Sequence, residues 1–371
     1  MATSNKLKAW VRYDGQKKIV PSSLILQAHK PKVGTWKEIP TDLCCQPAPN
    51  ALRLFFADID DANLIVGDVT NVDDWNSFFD LPAFGNPFKS VTVINDEVRL
   101  FGGSDITLKY LLFGGLTTIP RNSLIKIIDD AGCVIIIEDA AFEGCGTLRE
   151  VRFPEVTETT YVNYYGAFGD CSNLKTAYLP KLRQLGPSGP FYGCYRLQNL
   201  TLAFDEITQL GDGAFDGCYS LIGTVSYPNL LYTGISTFQL CGYDAMNLPS
   251  LIAAGDYAFV LMNNLQSISL PSLTYLGVGA FYNSALQTID APVLNLIMQN
   301  AFQSCASLTN VNIPSCTDLG GSVGNNNVFQ GITGNTITLT VPAALMTCNA
   351  GQPDGDIQYL QANNTVTVIT V

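Results

Sequence analysis

From residue 141 onward the chain repeats one arrangement of apolar and polar positions. Ala141-Phe142-Glu143-Gly144-Cys145 returns as Ala167-Phe168-Gly169-Asp170-Cys171, as Pro190-Phe191-Tyr192-Gly193-Cys194 and as Ala214-Phe215-Asp216-Gly217-Cys218. Further copies open at Thr237-Phe238, Ala258-Phe259, Ala280-Phe281 and Ala301-Phe302, and a degenerate one at Val328-Phe329. Successive phenylalanines are 26, 23, 24, 23, 21, 22, 21 and 27 residues apart, a period that marks stacked coils. Each copy is followed by Leu-x-x-h-x-h-Pro, where h is apolar, as in Leu174 to Pro180, Leu265 to Pro271 and Leu308 to Pro314. Alternating apolar positions predict a short strand with one buried face. Proline has no backbone N–H and ends it. A corner follows at Leu185-Gly186, Leu210-Gly211 and Leu276-Gly277. One coil cannot bury its own apolar side, so coils must stack. The phenylalanines then form an interior aromatic ladder, and the cysteines three residues after them fill small apolar slots as free thiols.

The residue between the two h positions points outward. Along the array these are Arg152, Tyr178, Thr201, Ser226, Asn247, Ser269, Asp290 and Asn312. From the third coil on the row is small and polar, with one charge. Short hydroxyls and amides in a row suit a glycan or a flat protein surface, so these eight form the candidate recognition face. The tyrosines at 192, 195, 219, 227, 232 and 243 are expected to add stacking area beside it. The competing expectation is a solvated sheet face.

The flanks divide the rest. Residues 1–40 form a basic attachment segment and 41–50 a linker; 51–115 read as a small β-rich domain capping the solenoid of 116–345. Residues 346–371 read as a turn and a final cap strand. The expected architecture is thus a β-rich repeat solenoid with small N-terminal β-rich domains. The first 40 residues hold eight Lys/Arg against Asp14 and Glu38, a charge of +6, while the other 331 carry −18. After Arg196 there is no Lys or Arg. The acidic bulk would repel nucleic acid and anionic membrane. The arm also holds Trp10 and Trp36, and Trp and Arg are favoured at interface hot spots. Trp10, Arg12, Lys17, Lys18, Lys32, Trp36 and Lys37 are therefore the candidate anchor to another protein.

Composition removes most chemistry. Hydrophobic residues make up 47 % and charged residues 14 % of the chain, which is enough apolar material for a large core and too little charge for disorder. No apolar run approaches the ~18 residues of a spanning helix. The single histidine, His29, has no ligand set around it. Asp58-Ile59-Asp60-Asp61 and Asp354-Gly355-Asp356 lack calcium-loop spacing and read as turns. Asp205-Glu206 are adjacent and would point apart on a strand. The paired glycines at 102–103, 114–115 and 320–321 lack phosphate-loop context, and Cys44-Cys45 has no partner pair for zinc. No catalytic residue, metal or cofactor is expected. The N-terminus shows no export signal.

The Phe, Cys, Leu, Pro and Gly positions in register resemble the BspA-type leucine-rich repeat over about residues 116–345. Departures are Met262 and Ser284 at the cysteine position, an irregular strand at Thr224–Pro228 and insertions near 157–165 and 320–327. The resemblance implies a solenoid used for adhesion or protein recognition, not catalysis. The segments Lys6–Gly15, Ile19–Leu26 and Pro31–Ile39 resemble the N-terminal segments of structural and fibre proteins in crAss-like phages of gut Bacteroidales. That implies a virion attachment segment. The expectation is a non-enzymatic phage virion protein, assembled in the host cytoplasm. It would dock on other virion proteins through residues 1–40 and face a host glycan or protein with its repeats. A homotrimer stays open as a fibre-like arrangement, although no heptad pattern is visible. The first alternative is a secreted BspA-like adhesin on a bacterial surface, and the second a glycan-degrading enzyme.

Overall fold

The structure is a computed structural model of the chain. It describes residues 51–60, 66, 68–79, 88–94, 96–102, 106–108, 112, 123–160, 166–186, 189–320 and 327–371, together with three strands before residue 40. Those three are β1 (Lys8–Tyr13), β2 (Ile25–Gln27) and β3 (Thr35–Ile39), an antiparallel sheet in the order β2-β1-β3. Trp10 pairs with Ile25 and Glu38, and Arg12 with Trp36. Lys17, Lys18, Lys32 and the 41–50 linker lie outside the described residues.

The next elements are β4 (Ala51–Phe56), α1 (Val72–Phe78), β5 (Ser90–Ile94), β6 (Glu97–Phe101) and β7 (Ile106–Leu108). Asn71 caps α1 by accepting the Asp73 N–H. The repeats follow, and each coil contributes a longer face strand and a short side strand. The first face strands are β8 (Leu124–Asp129), β10 (Glu150–Arg152), β12 (Thr176–Tyr178) and β14 (Asn199–Thr201). They alternate with side strands β9 (Val134–Ile137), β11 (Glu158–Thr159), β13 (Gln184–Leu185) and β15 (Gln209–Leu210). Later face strands are β16 (Gly223–Ser226), β18 (Tyr243–Asn247), β20 (Ser267–Ser269), β22 (Thr288–Asp290), β24 (Asn310–Asn312) and β26 (Thr336–Val341). Their side strands are β17 (Tyr232–Thr233), β19 (Ala253–Ala254), β21 (Tyr275–Leu276), β23 (Leu296–Ile297) and β25 (Asp318–Leu319). A helix α2 (Gly355–Asn363) and a strand β27 (Thr365–Thr370) complete the fold.

The face strands form two seven-stranded sheets, ordered β14-β12-β10-β8-β4-β6-β5 and β16-β18-β20-β22-β24-β26-β27. Pairing between successive coils is parallel, as solenoid stacking requires. The sequence separates 51–115 from the repeats, yet β4 pairs antiparallel with β8, so that block extends the solenoid's own sheet. One apolar core runs from Leu52 to Leu360. At the far end the expected turn is a helix cap instead. The Asp354 carboxylate accepts the Asp356 N–H at 3.0 Å and opens α2, whose Ile357 and Leu360 close the core.

Inside, nine phenylalanine rings from Phe142 to Phe329 stack nearly parallel. Neighbouring centroids are 4.9 Å apart at the closest, between Phe259 and Phe281, and 5.7 Å between Phe302 and Phe329. The cysteines bind this ladder together. Cys171, Cys194, Cys218, Cys241 and Cys305 each donate their thiol to the carbonyl of the phenylalanine one coil back, at 3.0–3.2 Å. That oxygen also receives the N–H of the cysteine three residues on, as at Phe168 and Phe191. The thiol thus serves the second lone pair of a carbonyl buried in the turn. Burial pushes the Cys171, Cys194, Cys218 and Cys241 thiols well above their ordinary pKa. All nine described cysteines are free thiols.

Candidate recognition surface

All eight outward residues lie on face strands, exposed or half-exposed. Parallel pairing sets them in one register. Arg152 pairs with Tyr178 and Tyr178 with Thr201. Ser226 pairs with Asn247, Asn247 with Ser269, Ser269 with Asp290 and Asp290 with Asn312. The row continues beyond the positions taken from the sequence, through Arg99, Arg53 and Ile128 at one end and Thr340 and Ile369 at the other. A second outward row, two residues earlier on each strand, runs Lys126, Glu150, Thr176, Asn199 on the first sheet and Ala245, Ser267, Thr288, Asn310, Thr338 on the second. The same alternation signals it, because the position before the first h also faces out.

The two sheets differ in chemistry. On the first, Arg152 lies over the Tyr178 ring at 4.9 Å, and Lys126 meets Glu150 at 2.7 Å. Arg53 joins Glu97 at 2.5 Å and Asp130 at 3.1 Å. Those pairs hold the Glu97 carboxyl below its ordinary pKa against the opposing effect of burial. On the second sheet, amides bridge coils: Asn247 Nδ2 donates to Ser226 Oγ at 3.2 Å and Asn312 Nδ2 to Asp290 Oδ1 at 2.7 Å.

Between them lies a seam. The Leu221–Pro228 stretch is one residue longer than Leu174–Pro180, and Ala203 replaces the strand-ending proline of its coil. Strands β14 and β16 do not pair, and the side sheets part at the same place, between β13 and β15. Gly223, at φ +84°, takes up the slip, and its N–H donates to Asp244 Oδ2 at 2.9 Å. The β16–β18 register shifts there. The aromatic ladder crosses unbroken: Phe191–Phe215 centroids are 5.7 Å apart and Phe215–Phe238 5.6 Å.

Of the tyrosines expected beside the face, two are core. Tyr227 and Tyr243 are buried, because Tyr227 holds the apolar slot before Pro228 and Tyr243 the leucine slot six residues before Pro249. Tyr192, Tyr195 and Tyr219 are exposed but belong to the turns after the repeat Phe and Cys, not to the strands. Tyr232 is exposed on a side strand. Among the described residues no group of three or more His, Cys, Asp or Glu could hold a metal ion, and no helix is long and apolar enough to cross a membrane.

The BspA type leucine rich repeat region matches residues 121–241 and 232–349, in six copies. The chain belongs to this family. Its coils show how the BspA-type pattern works physically: Phe stacks, Cys ties each turn to the coil before it, and the strand turns two polar rows outward. Among solved structures, a leucine rich cell surface protein from Faecalibacterium prausnitzii is similar at 17 % identity, over 76 % of this chain and 90 % of that one, with a TM-score of 0.34. A T. pallidum leucine rich repeat protein is similar at 20 % identity over 52 % and 86 %, TM-score 0.35. A leucine-rich repeat protein from Bacteroides ovatus follows at 16 % identity over 76 % and 90 %, TM-score 0.24. No argument rests on likenesses this distant. No curated protein matches the chain.

Proposed function

We propose that this BspA-type protein is a non-enzymatic recognition protein of the adhesin kind, binding a partner surface with the outward rows of its face strands. One observation supports this above the rest. From Ser226 to Asn312 the coils align small hydroxyl and amide groups in register on a rigid parallel sheet. Such a surface orders many weak hydrogen bonds with little side-chain entropy to lose on binding. Catalysis by paired carboxylates has no support on this face, where Asp290 is the single acid of the candidate row beyond Arg152. The test is binding of the full chain to glycan and surface-protein arrays, against Asn247→Arg/Ser269→Arg. Loss of the array signals with an unchanged unfolding midpoint supports the reading. Identical array profiles for the two proteins contradict it.

A second reading keeps the same face and places it on a virion. It is favoured by the charge of residues 1–40, +6 against −18 for the remainder, and by Trp10 and Trp36 in that arm. In this reading the arm docks in an acidic groove of another virion protein. A chain starting at Asn50 would then fail to incorporate into particles, and normal incorporation contradicts it.

A further inference from the structure

We propose that Tyr192, Tyr195 and Tyr219, flanked by Asp170 and Asp216, form a docking site for an arginine or lysine side chain of a protein partner. The site stands apart from the strand face and does not rest on that face's role.

Exposed large apolar side chains concentrate at the seam. Tyr192, Tyr195, Tyr219, Ile222, Tyr232 and Ile235 all fall within two coils of it, and the first three are 47, 45 and 50 % exposed. Tyr195 and Tyr219 stack at 5.6 Å and 35°. Their placement is built into the backbone. A Cβ on Gly217, at φ +78°, would lie 3.1 Å from the Tyr195 ring, and one on Gly193 would collide with Asp170 Oδ1. Two glycines therefore make a floor on which the Tyr195 ring and the Asp170 carboxylate rest. Apolar rings held open to solvent by a rigid floor mark an interaction site.

Charge selects the occupant. Neither the Asp170 nor the Asp216 carboxylate takes a hydrogen bond or an ion pair among the described residues. Asp216 is half-buried, and burial pushes its pKa up to about 6. Its charge is in turn the largest influence raising the Tyr192 phenol, while burial and then Asp170 raise Tyr195. A half-buried carboxylate without a partner is costly, and a cation removes the cost. Tyrosine faces attract the same cation through their quadrupole. The chain supplies none from within: Arg196 is its last basic residue and forms no ion pair among the described residues. A neutral sugar would stack on the rings and leave the charge uncompensated.

The probe is hexaarginine peptide, titrated into the full chain at low ionic strength, with maltohexaose and cellohexaose as neutral probes. Tyr195→Ala/Tyr219→Ala and Asp170→Asn/Asp216→Asn should each weaken hexaarginine about tenfold. Asp205→Asn/Glu206→Gln removes two exposed acids elsewhere and should leave the affinity within twofold. All variants are compared at equal unfolding midpoints. The tyrosines are half-exposed, so either pair serves if the other disturbs folding. Equal losses in the Asp170/Asp216 and Asp205/Glu206 variants would mean diffuse attraction to an acidic solenoid, and the proposal would fall. It would fall equally if a neutral hexasaccharide bound and lost its affinity with the two tyrosines, which would make this a glycan site.

Discussion

On the first sheet Arg53 reaches Glu97 and Asp130, Lys126 reaches Glu150, and Arg152 covers Tyr178. On the second the outward row passes from Ser226 to Asn312 with Asp290 as its one charge. Both sheets stand on the same ladder of Phe rings and Cys thiols, and the ladder crosses the seam where the sheets part. Core and surface are therefore set independently. The inward positions repeat because every coil must fit its neighbours, while the outward ones answer only to solvent or a partner. A face free of internal ion pairs has its polar groups available, and that is the reason to place recognition on the second sheet.

The largest expected effect tests the shared core. Phe191→Ala on the first side of the seam and Phe281→Ala on the second should each cost about 3–5 kcal/mol, read from chemical unfolding. A loss confined to one side would show that the sheets, not the ladder, hold the coils together.

Next comes the ion-pair network. Arg53→Ala removes a guanidinium shared by Glu97 and Asp130 and should cost about 1.5–3 kcal/mol. Asn247→Ala, on the uncharged sheet, loses one exposed amide bond to Ser226 and should change stability by less than about 0.5 kcal/mol. Equal costs would erase the difference between the faces.

The cysteine row gives a smaller effect. Cys218→Ala deletes the thiol bond to the Phe191 carbonyl and should cost about 1 kcal/mol. Among the described thiols only Cys348 is exposed, so thiol reagents should label that one in the native chain and the other eight on unfolding.

The smallest effect is in pH. Burial pushes Asp356 up to about 7 and Asp216 up to about 6, from an ordinary 3.8. The folded chain thus holds protons that the unfolded chain has released, and its stability falls as pH rises from about 4 to about 7. The thermal midpoint should be higher at about pH 5 than at about pH 7.5, and Asp356→Asn should flatten the slope. A slope of opposite sign would contradict the burial of these carboxyls.

The ladder, the thiols and the outward row are legible in the sequence because each is written at a fixed offset within one coil. Phe142 and its successors keep that offset through every copy but the last. What lies between coils is harder to read. The single extra residue between Leu221 and Pro228 reads as an irregular strand, yet it parts both sheets. Tyr227 and Tyr243 read as surface aromatics because residue type was weighed above slot, although their distances from Pro228 and Pro249 place them inside. Helix α2 buries only Ile357 and Leu360 along with its capping acids, too few positions to outline a helical period. The tyrosine patch is assembled from turns of consecutive coils, so no single motif carries it.

The most direct measurement compares the two faces on one ligand taken from the arrays. The dissociation constant is measured for the full chain, for Asn247→Arg/Ser269→Arg on the second sheet, and for Thr176→Arg/Asn199→Arg on the first. The account predicts binding lost by at least about tenfold in the second-sheet variant and held within about twofold in the first-sheet variant, all three proteins unfolding together. Equal binding by all three, or loss through the first sheet alone, would contradict it.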